Sequence, residues 1–222
     1  MTKRASIPAD WYDAGCVDCP RLADFLAEVR ERQPEYHALP VPPFGDRKAK
    51  LLIVGLAPGM HGANATGRAF TGDYAGVLLY ETLFNLGIST APQSESADDG
   101  LKLNGVRITN AVKCLPPQNK PVGAEINTCN RFLAAELNEL PKDGVILALG
   151  GIAHRAVIKA YGLRQADYAF GHAAEHTLQN GIRMVDSYHC SRYNTNTGRL
   201  TTEMFMHAMG LAAKLAGVGS VA

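Results

Sequence analysis

The chain has 222 residues, 46% of them hydrophobic and 19% charged, with a formal net charge of +1 at pH 7. That length is enough for one well-buried domain and short for two, and the composition excludes wholesale disorder. No apolar run approaches the roughly 20 residues of a membrane-spanning helix, and with so little net charge any nucleic-acid face must be a local patch set against acidic surface elsewhere.

The N-terminal stretch MTKRASIPADWYDAG lacks the apolar segment of a secretory signal and predicts a cytoplasmic protein. CVDCPRLADFLAEVRER reads as a short amphipathic helix with Pro20 near its start, part of an N-terminal lobe spanning 1–45. AKLLIVG, at 49–55, is a continuous apolar run ending at glycine, the pattern of a strand buried on both faces. GVLLYETLFNLG, at 76–87, has helical spacing that puts Leu79, Leu83 and Leu86 on one side. GVRITNAVKC, at 105–114, is rich in β-formers, and PPQNKP stops it. From Ala124 a helix places Ile126, Cys129, Leu133 and Leu137 on one stripe. GVILALG is a third buried strand, followed by the helix GIAHRAVIKAYG, which Gly162 ends. GIRMVDSYH is a fourth strand, and TTEMFMHAMGLAAKLAG closes the chain as a helix burying Phe205, Met209, Ala212 and Ala216.

Strand then helix, repeated, predicts an α/β fold with a central, mostly parallel four-stranded sheet flanked by helices. All of 1–222 is read as one domain, to which the N-terminal lobe is appended. In such sheets the ligand crevice lies beyond the C-terminal ends of the strands. Three loops leave those ends: GLAPGMHGANATGRAFTGD, NAVKCLPPQNK and HCSRYNTNTGR. Their convergence predicts one site. The first loop offers much bare backbone and few reactive side chains, but it lacks the Gly-Lys-Ser/Thr ending of a nucleotide-phosphate loop.

Five cysteines in a chain read as cytosolic disfavour a disulfide framework and leave metal ligation or ordinary buried thiols. Cys16 and Cys19 form a C-x-x-C pair before the first helix, Cys114 ends the second strand region, and Cys129 lies early in the next helix. Four thiolates from three segments suit tetrahedral zinc or a 4Fe–4S cluster, and spacing alone does not choose between them. Cys129 is also readable as a small hydrophobe on a buried stripe, and the pair as a redox dithiol. Cys190 lies far from the others in sequence and is not read as a ligand.

The motifs GLAPGMHGANATGRAFTGDYAG, RITNAVKCLPPQNKP and HCSRYNTNTGRLT, in that order, resemble the uracil-DNA glycosylase superfamily and most closely its iron–sulfur family 5. The resemblance runs from about Cys16 to the final helix. It implies a 4Fe–4S cluster on Cys16, Cys19, Cys114 and Cys129, with a structural role. It also implies a monofunctional DNA repair glycosylase whose partner is DNA containing uracil or other deaminated bases. Two departures stand out. Ala57 occupies the place where other branches carry a catalytic Asp or Asn, which is the family 5 arrangement and shifts attention to Asp73. Cys190 replaces a common proline, which frees φ there.

Under that resemblance the small residues Gly55, Ala57 and Gly59 let backbone approach a flipped nucleotide, and Phe70 stacks on its base. Asn110 carries a donor and an acceptor in one amide and reads the complementary edge of uracil. His189 serves the departing base as a neutral hydrogen-bond donor, and Asp73 orients or deprotonates the attacking water or steadies the cationic sugar. His61 and Asn64 shape the pocket. Arg68, Lys113, Arg192 and Arg199 face phosphates, and Tyr193 is a wedge into the duplex. Each has an ordinary alternative: Asp73 as a helix cap, Phe70 as a core aromatic, Asn110 as a strand-end cap, the basic residues as solvated surface. His154, His172 and His176 lie outside the three motifs and are read as structural or solvated. No lysine is placed to form a Schiff base. Base flipping needs no two-fold symmetry, so a monomer is expected. A non-catalytic iron–sulfur module that binds nucleic acid, and a hydrolase of free nucleosides or nucleotides, are the competing functions.

Overall fold

The computed structural model describes residues 7–219. The central strands are β2 (Leu51–Gly55), β3 (Val106–Asn110), β4 (Val145–Leu149) and β6 (Arg183–Ser187), which pair in parallel in the order β3-β2-β4-β6. These are the four expected strands. Two short antiparallel strands, β1 (Phe44–Gly45) on β3 and β5 (Glu175–Thr177) on β6, extend the sheet to six. Two or three residues carry too little alternation to announce a strand, so these edges were invisible in the sequence.

Side chains alternate across the sheet, so each central strand feeds two cores. Leu51 and Ile53 face α3 (Tyr74–Asn85) and α7 (Thr202–Ala216), where Leu79, Leu83, Phe205 and Met209 are buried. Leu52 and Val54 face α4 (Gly123–Asn138) and α5 (Gly151–Ala160), where Leu133, Leu137, Ala153 and Val157 are buried. The lobe helix α1 (Pro20–Arg32) starts on Pro20 and presses Leu22, Leu26 and Val29 against Val112, Leu115 and Phe132. Two short helices complete the chain, α2 (Ala63–Thr66) and α6 (Arg192–Asn196). Side-chain oxygens of Asp73, Ser191 and Thr201 cap α3, α6 and α7, and Gly217 ends α7 in the left-handed conformation that suits it.

Two residues expected at DNA phosphates are instead structural cations. Lys113 is 2% exposed, and its ammonium donates to Glu136 Oε1 at 2.7 Å and to Thr109 Oγ1. Arg107 approaches the other oxygen of Glu136 at 3.3 Å and stacks its guanidinium 4.0 Å above the Trp11 ring. Arg68 is 5% exposed and spends its donors on Asp99 at 2.7 Å, Ser94 and the carbonyl of Ala97. A buried charge needs a partner more than it needs a ligand, and both partners lie well away in sequence.

Breaking such a pair from one side leaves the other charges stranded. Glu136→Gln is expected to lower unfolding free energy by about 3 to 5 kcal/mol. Lys50→Ala, which opens the exposed pair with Asp143 at 3.3 Å, should cost less than about 1 kcal/mol. Chemical denaturation of both variants beside the parent measures the difference, and equal small losses would overturn it.

Candidate active site

At the C-terminal ends of the parallel strands the loops enclose a cleft of about 550 Å³. Its walls come from Leu56, Ala57 and Gly59 after β2, from the start of α3, from Asn119, and from Tyr188, His189, Ser191 and Arg192 after β6. A further contributor, Gly150 to Ile152 at the start of α5, went unremarked in the sequence. Its signal was present in GVILALGG, a buried strand that runs through two glycines into a helix. Asn119 was likewise missed, hidden in a proline-rich stop.

Asp73 and His189 both line this cleft. Asp73 is the N-cap of α3, and its Oδ1 accepts from the Gly76 N–H at 3.1 Å. The cap reading and the site reading are therefore both true of one carboxylate. Desolvation raises its pKa above the ordinary carboxylate value, while the amides of Gly76 and Ala75 pull the other way. The loop must pass close: a Cβ at Gly62 would lie 2.7 Å from Asp73 Cγ and overlap the carboxylate. His189 follows β6, and burial lowers its pKa to about 4. Its imidazole is thus neutral at physiological pH. Its backbone carbonyl accepts from Asn194 Nδ2 at 2.8 Å, which ties the histidine to α6.

Behind the cleft, Gly55 and Asn110 are register partners at the ends of β2 and β3. A Cβ at Gly55 would collide with Asn110 Oδ1 and come within 2.7 Å of the Phe70 ring, so these three positions are fitted together. Asn110 is 4% exposed, and its Oδ1 has no hydrogen-bond partner. An orphaned buried acceptor is costly unless a ligand supplies the donor. Phe70 is buried, holds a left-handed φ of 55°, and lies nearly parallel to His189 with ring centroids 5.9 Å apart. Such backbone strain in a non-glycine residue persists only where its surroundings over-determine it. Here Tyr80 O–H donates to the Ala69 carbonyl at 2.9 Å, and Arg68 anchors the preceding turn.

His61 and Asn64 do not reach the cleft lining. His61 is exposed, and its Nδ1 accepts from Tyr36 O–H at 2.7 Å. Asn64 is fully buried within its own loop, with Nδ2 3.4 Å from the Met60 carbonyl. Cys190 is buried against the core, with burial first and Asp73 second raising its thiol pKa. Arg192 and Arg199 stand on the rim over the rings of Tyr74 and Tyr188, at 5.1 and 4.7 Å, and Tyr193 between them is 72% exposed.

A second, small pocket is lined by Cys16, Cys19, Cys114 and Cys129 together. Burial, then the neighbouring thiols, raises the pKa of Cys114 to about 12. Cys19 is raised by the same causes, and Cys129 by burial against the opposing charge of Lys113. The Lys113 N–H points at Cys129 Sγ at 3.3 Å, and Arg131 reaches Cys16 Sγ at 3.8 Å. Four sulfurs facing one another, with donors aimed at two of them, form a donor set that fits a thiolate-bound metal group.

The titration of His189 has a consequence for folding. Its pKa is about 4 when folded against an ordinary 6.5, so the unfolded chain binds a proton that the folded one refuses across that interval. Stability is therefore lost as pH falls from 6.5 toward about 4. His189→Asn removes that loss. Relative to the parent, the variant should gain unfolding free energy between pH 7 and pH 5, measured by denaturation at each pH; an unchanged difference would refute the assignment.

The profile of the "Uracil DNA glycosylase superfamily" matches residues 42–210. The type-5 uracil-DNA glycosylase of Thermus thermophilus is 47% identical over 208 residues, covering 91% of this chain and 94% of that protein. The type-5 enzyme of Pyrobaculum aerophilum is 42% identical over 224 residues, covering 96% and 97%. A type-4 uracil-DNA glycosylase of Pyrobaculum aerophilum is 37% identical over 131 residues, 59% of each chain. By that coverage and identity, the chain belongs to the uracil DNA glycosylase superfamily and, within it, to the type-5 group.

Proposed function

We propose that this chain is a DNA repair enzyme, a monofunctional glycosylase that hydrolyses the N-glycosidic bond of uracil flipped out of DNA and leaves an abasic site. The observation that carries the reading is the pairing, in one cleft, of a desolvated carboxylate on Asp73 with a neutral imidazole on His189. Glycosidic cleavage creates a cationic sugar and an anionic base, and these two groups match the two charges. Asp73 takes the proton of a water that attacks the sugar carbon and faces the positive charge developing there. As the bond breaks, its electron pair leaves with the base, and the His189 N–H donates to the base oxygen where negative charge collects. The imidazole has no proton to give up for this role, so its low pKa is an asset.

Asn110 supplies recognition. Its unpartnered Oδ1 accepts from the ring N–H of uracil while its amide donates to the adjacent oxygen. Phe70 offers its ring to the base. The cleft's volume also suits other deaminated bases such as hypoxanthine. Arg192 and Arg199 reach phosphates, and Tyr193 enters the space that the flipped nucleotide vacates. The reading includes a monomer working in the cytoplasm; no helix among the described residues is long and apolar enough to cross a membrane.

Cys16, Cys19, Cys114 and Cys129 would hold a 4Fe–4S cluster, which supplies a rigid cross-link between the lobe and the segment after β3. The spacing of the sulfurs favours a cluster over one zinc ion. Among the described residues the three ligand groups within 4.8 Å of one another are His154, His176 and Asp186, not any three cysteines. Sulfurs on a single tetrahedral zinc would lie about 3.8 Å apart. Anaerobically purified protein should carry about four irons per chain with broad visible absorption, and Cys114→Ser should lose both. Zinc without iron in the parent would overturn the assignment.

Single-turnover excision from DNA with one central uracil tests the activity. The parent should cut, and Asp73→Asn and His189→Ala should each be slower by about 10² to 10³. Asparagine keeps the helix cap, so the first loss cannot come from an unfolded α3. Parent protein that binds this DNA yet leaves both uracil and hypoxanthine in place would make the chain a binding module instead.

A further inference from the structure

Behind the β6 wall of the cleft lies a cluster that the excision mechanism does not use. His154 on α5 and Asp186 on β6 are 1% and 0% exposed, and His176 on β5 completes the group. His154 Nδ1 is 2.9 Å from Asp186 Oδ1, and His154 Nε2 is 3.0 Å from the Tyr168 carbonyl. His176 Nε2 donates to Asp186 Oδ2 at 3.0 Å, and the Gly171 N–H approaches the same oxygen at 3.4 Å.

Donor counting decides the protonation state. A backbone carbonyl only accepts, so His154 Nε2 must carry a hydrogen. A carboxylate also only accepts, so Nδ1 must carry one too. With Asp186 ionised, a neutral imidazole would leave a lone pair facing a lone pair at one of the two contacts, inside the protein. By contrast, His172 donates from Nε2 to the Met204 carbonyl and accepts the Tyr188 N–H at Nδ1, which a neutral ring satisfies.

We propose that His154 is a buried imidazolium, paired with the Asp186 carboxylate, and that this proton docks residues 168–176 and so positions Phe170 in the cleft wall. The links are short. Phe170 lines the cleft, meets the His154 ring edge-on at 5.6 Å and packs on Tyr188 at 6.1 Å. The Ala173 N–H donates to the Asp186 carbonyl at 2.8 Å, which fixes the far side of the same segment. The other groups facing the pair are His176 and the Tyr168 backbone. Arg183 and Glu175 on the adjoining strands satisfy each other at 2.6 Å in an exposed pair, and Arg155 on α5 is exposed. Loss of either ring hydrogen would free Tyr168 or Asp186 from its contact. These residues are positioning residues, and their effect on excision rests on the glycosylase reading; the proton count does not.

The test reads the proton directly, on the full chain, by nitrogen–proton correlation of the imidazole rings, with His154→Gln to assign the signal. At neutral pH His154 should show two protonated nitrogens and His172 one. A bare nitrogen on His154 overturns the proposal, and so does stoichiometric uptake of added zinc with loss of the His154 N–H signals. Asp186→Asn and His154→Gln should each strip exchange protection from the Gly171 amide; protection retained in both removes the docking role. In excision, either variant should raise the DNA concentration needed for half-maximal rate by roughly ten- to a hundredfold, with a smaller change in the maximal rate. A parent inactive on uracil would sink the glycosylase reading while the imidazole spectrum still decides the proton.

Discussion

A buried carboxylate that needs hydrogen-bond donors constrains most of what surrounds it. Asp73 meets that demand from the first turn of α3, where the Gly76 amide donates to it and the helix N-terminus favours negative charge. Desolvation still lifts its pKa, so the balance is struck between burial and the helix end. The loop that crowds the carboxylate cannot carry a side chain at Gly62. The turn entering the helix forces Phe70 to a left-handed φ, and the buried Arg68–Asp99 pair and the Tyr80 hydroxyl hold that turn in place. The bare backbone of residues 55–73 is thus the mould of one charged group and one aromatic ring.

The partner across the cleft obeys the opposite rule. The same burial that pushes Asp73 up pushes His189 down to about 4, because burial disfavours whichever form is charged. Burial therefore acts on both groups that line this cleft, and in each it disfavours the charged form. Behind them the buried Asn110 Oδ1 is left without a hydrogen-bond partner.

The four parallel strands and the long helices were legible because continuous apolar runs and 3.6-residue stripes report burial directly. Leu79, Leu83, Phe205 and Met209 lie where their spacing put them. Partner choice was not legible. Arg68 and Lys113 are basic residues beside loops in the sequence, and only the fold reveals that Asp99 and Glu136 claim them, 31 and 23 positions away. The glycine pair after β4 and Asn119 were missed because a turn signal looks the same whether it merely connects elements or lines a cleft. His154 and His176 were set aside for a similar reason: they come from separate elements, and no spacing rule joins them to Asp186.

The segment from Asn110 to Cys129 ties the two buried sites into one mechanical unit. Asn110 ends β3, Lys113 is pinned by Glu136, and Cys114 lines the sulfur pocket only four positions after Asn110. The chain then turns through Gln118 and Asn119, both at a φ of 56°, with Asn119 in the cleft wall. A left-handed turn is tolerable for asparagine and unfavourable for glutamine, so the pair keeps this shape only if its ends are fixed. Arg21 from the lobe grips Glu125 at 2.7 and 2.8 Å, Glu125 reaches back to the Val122 amide, and Cys129 returns the chain to the sulfurs. The lobe thus works as the far anchor of a strained turn whose near side lines the cleft.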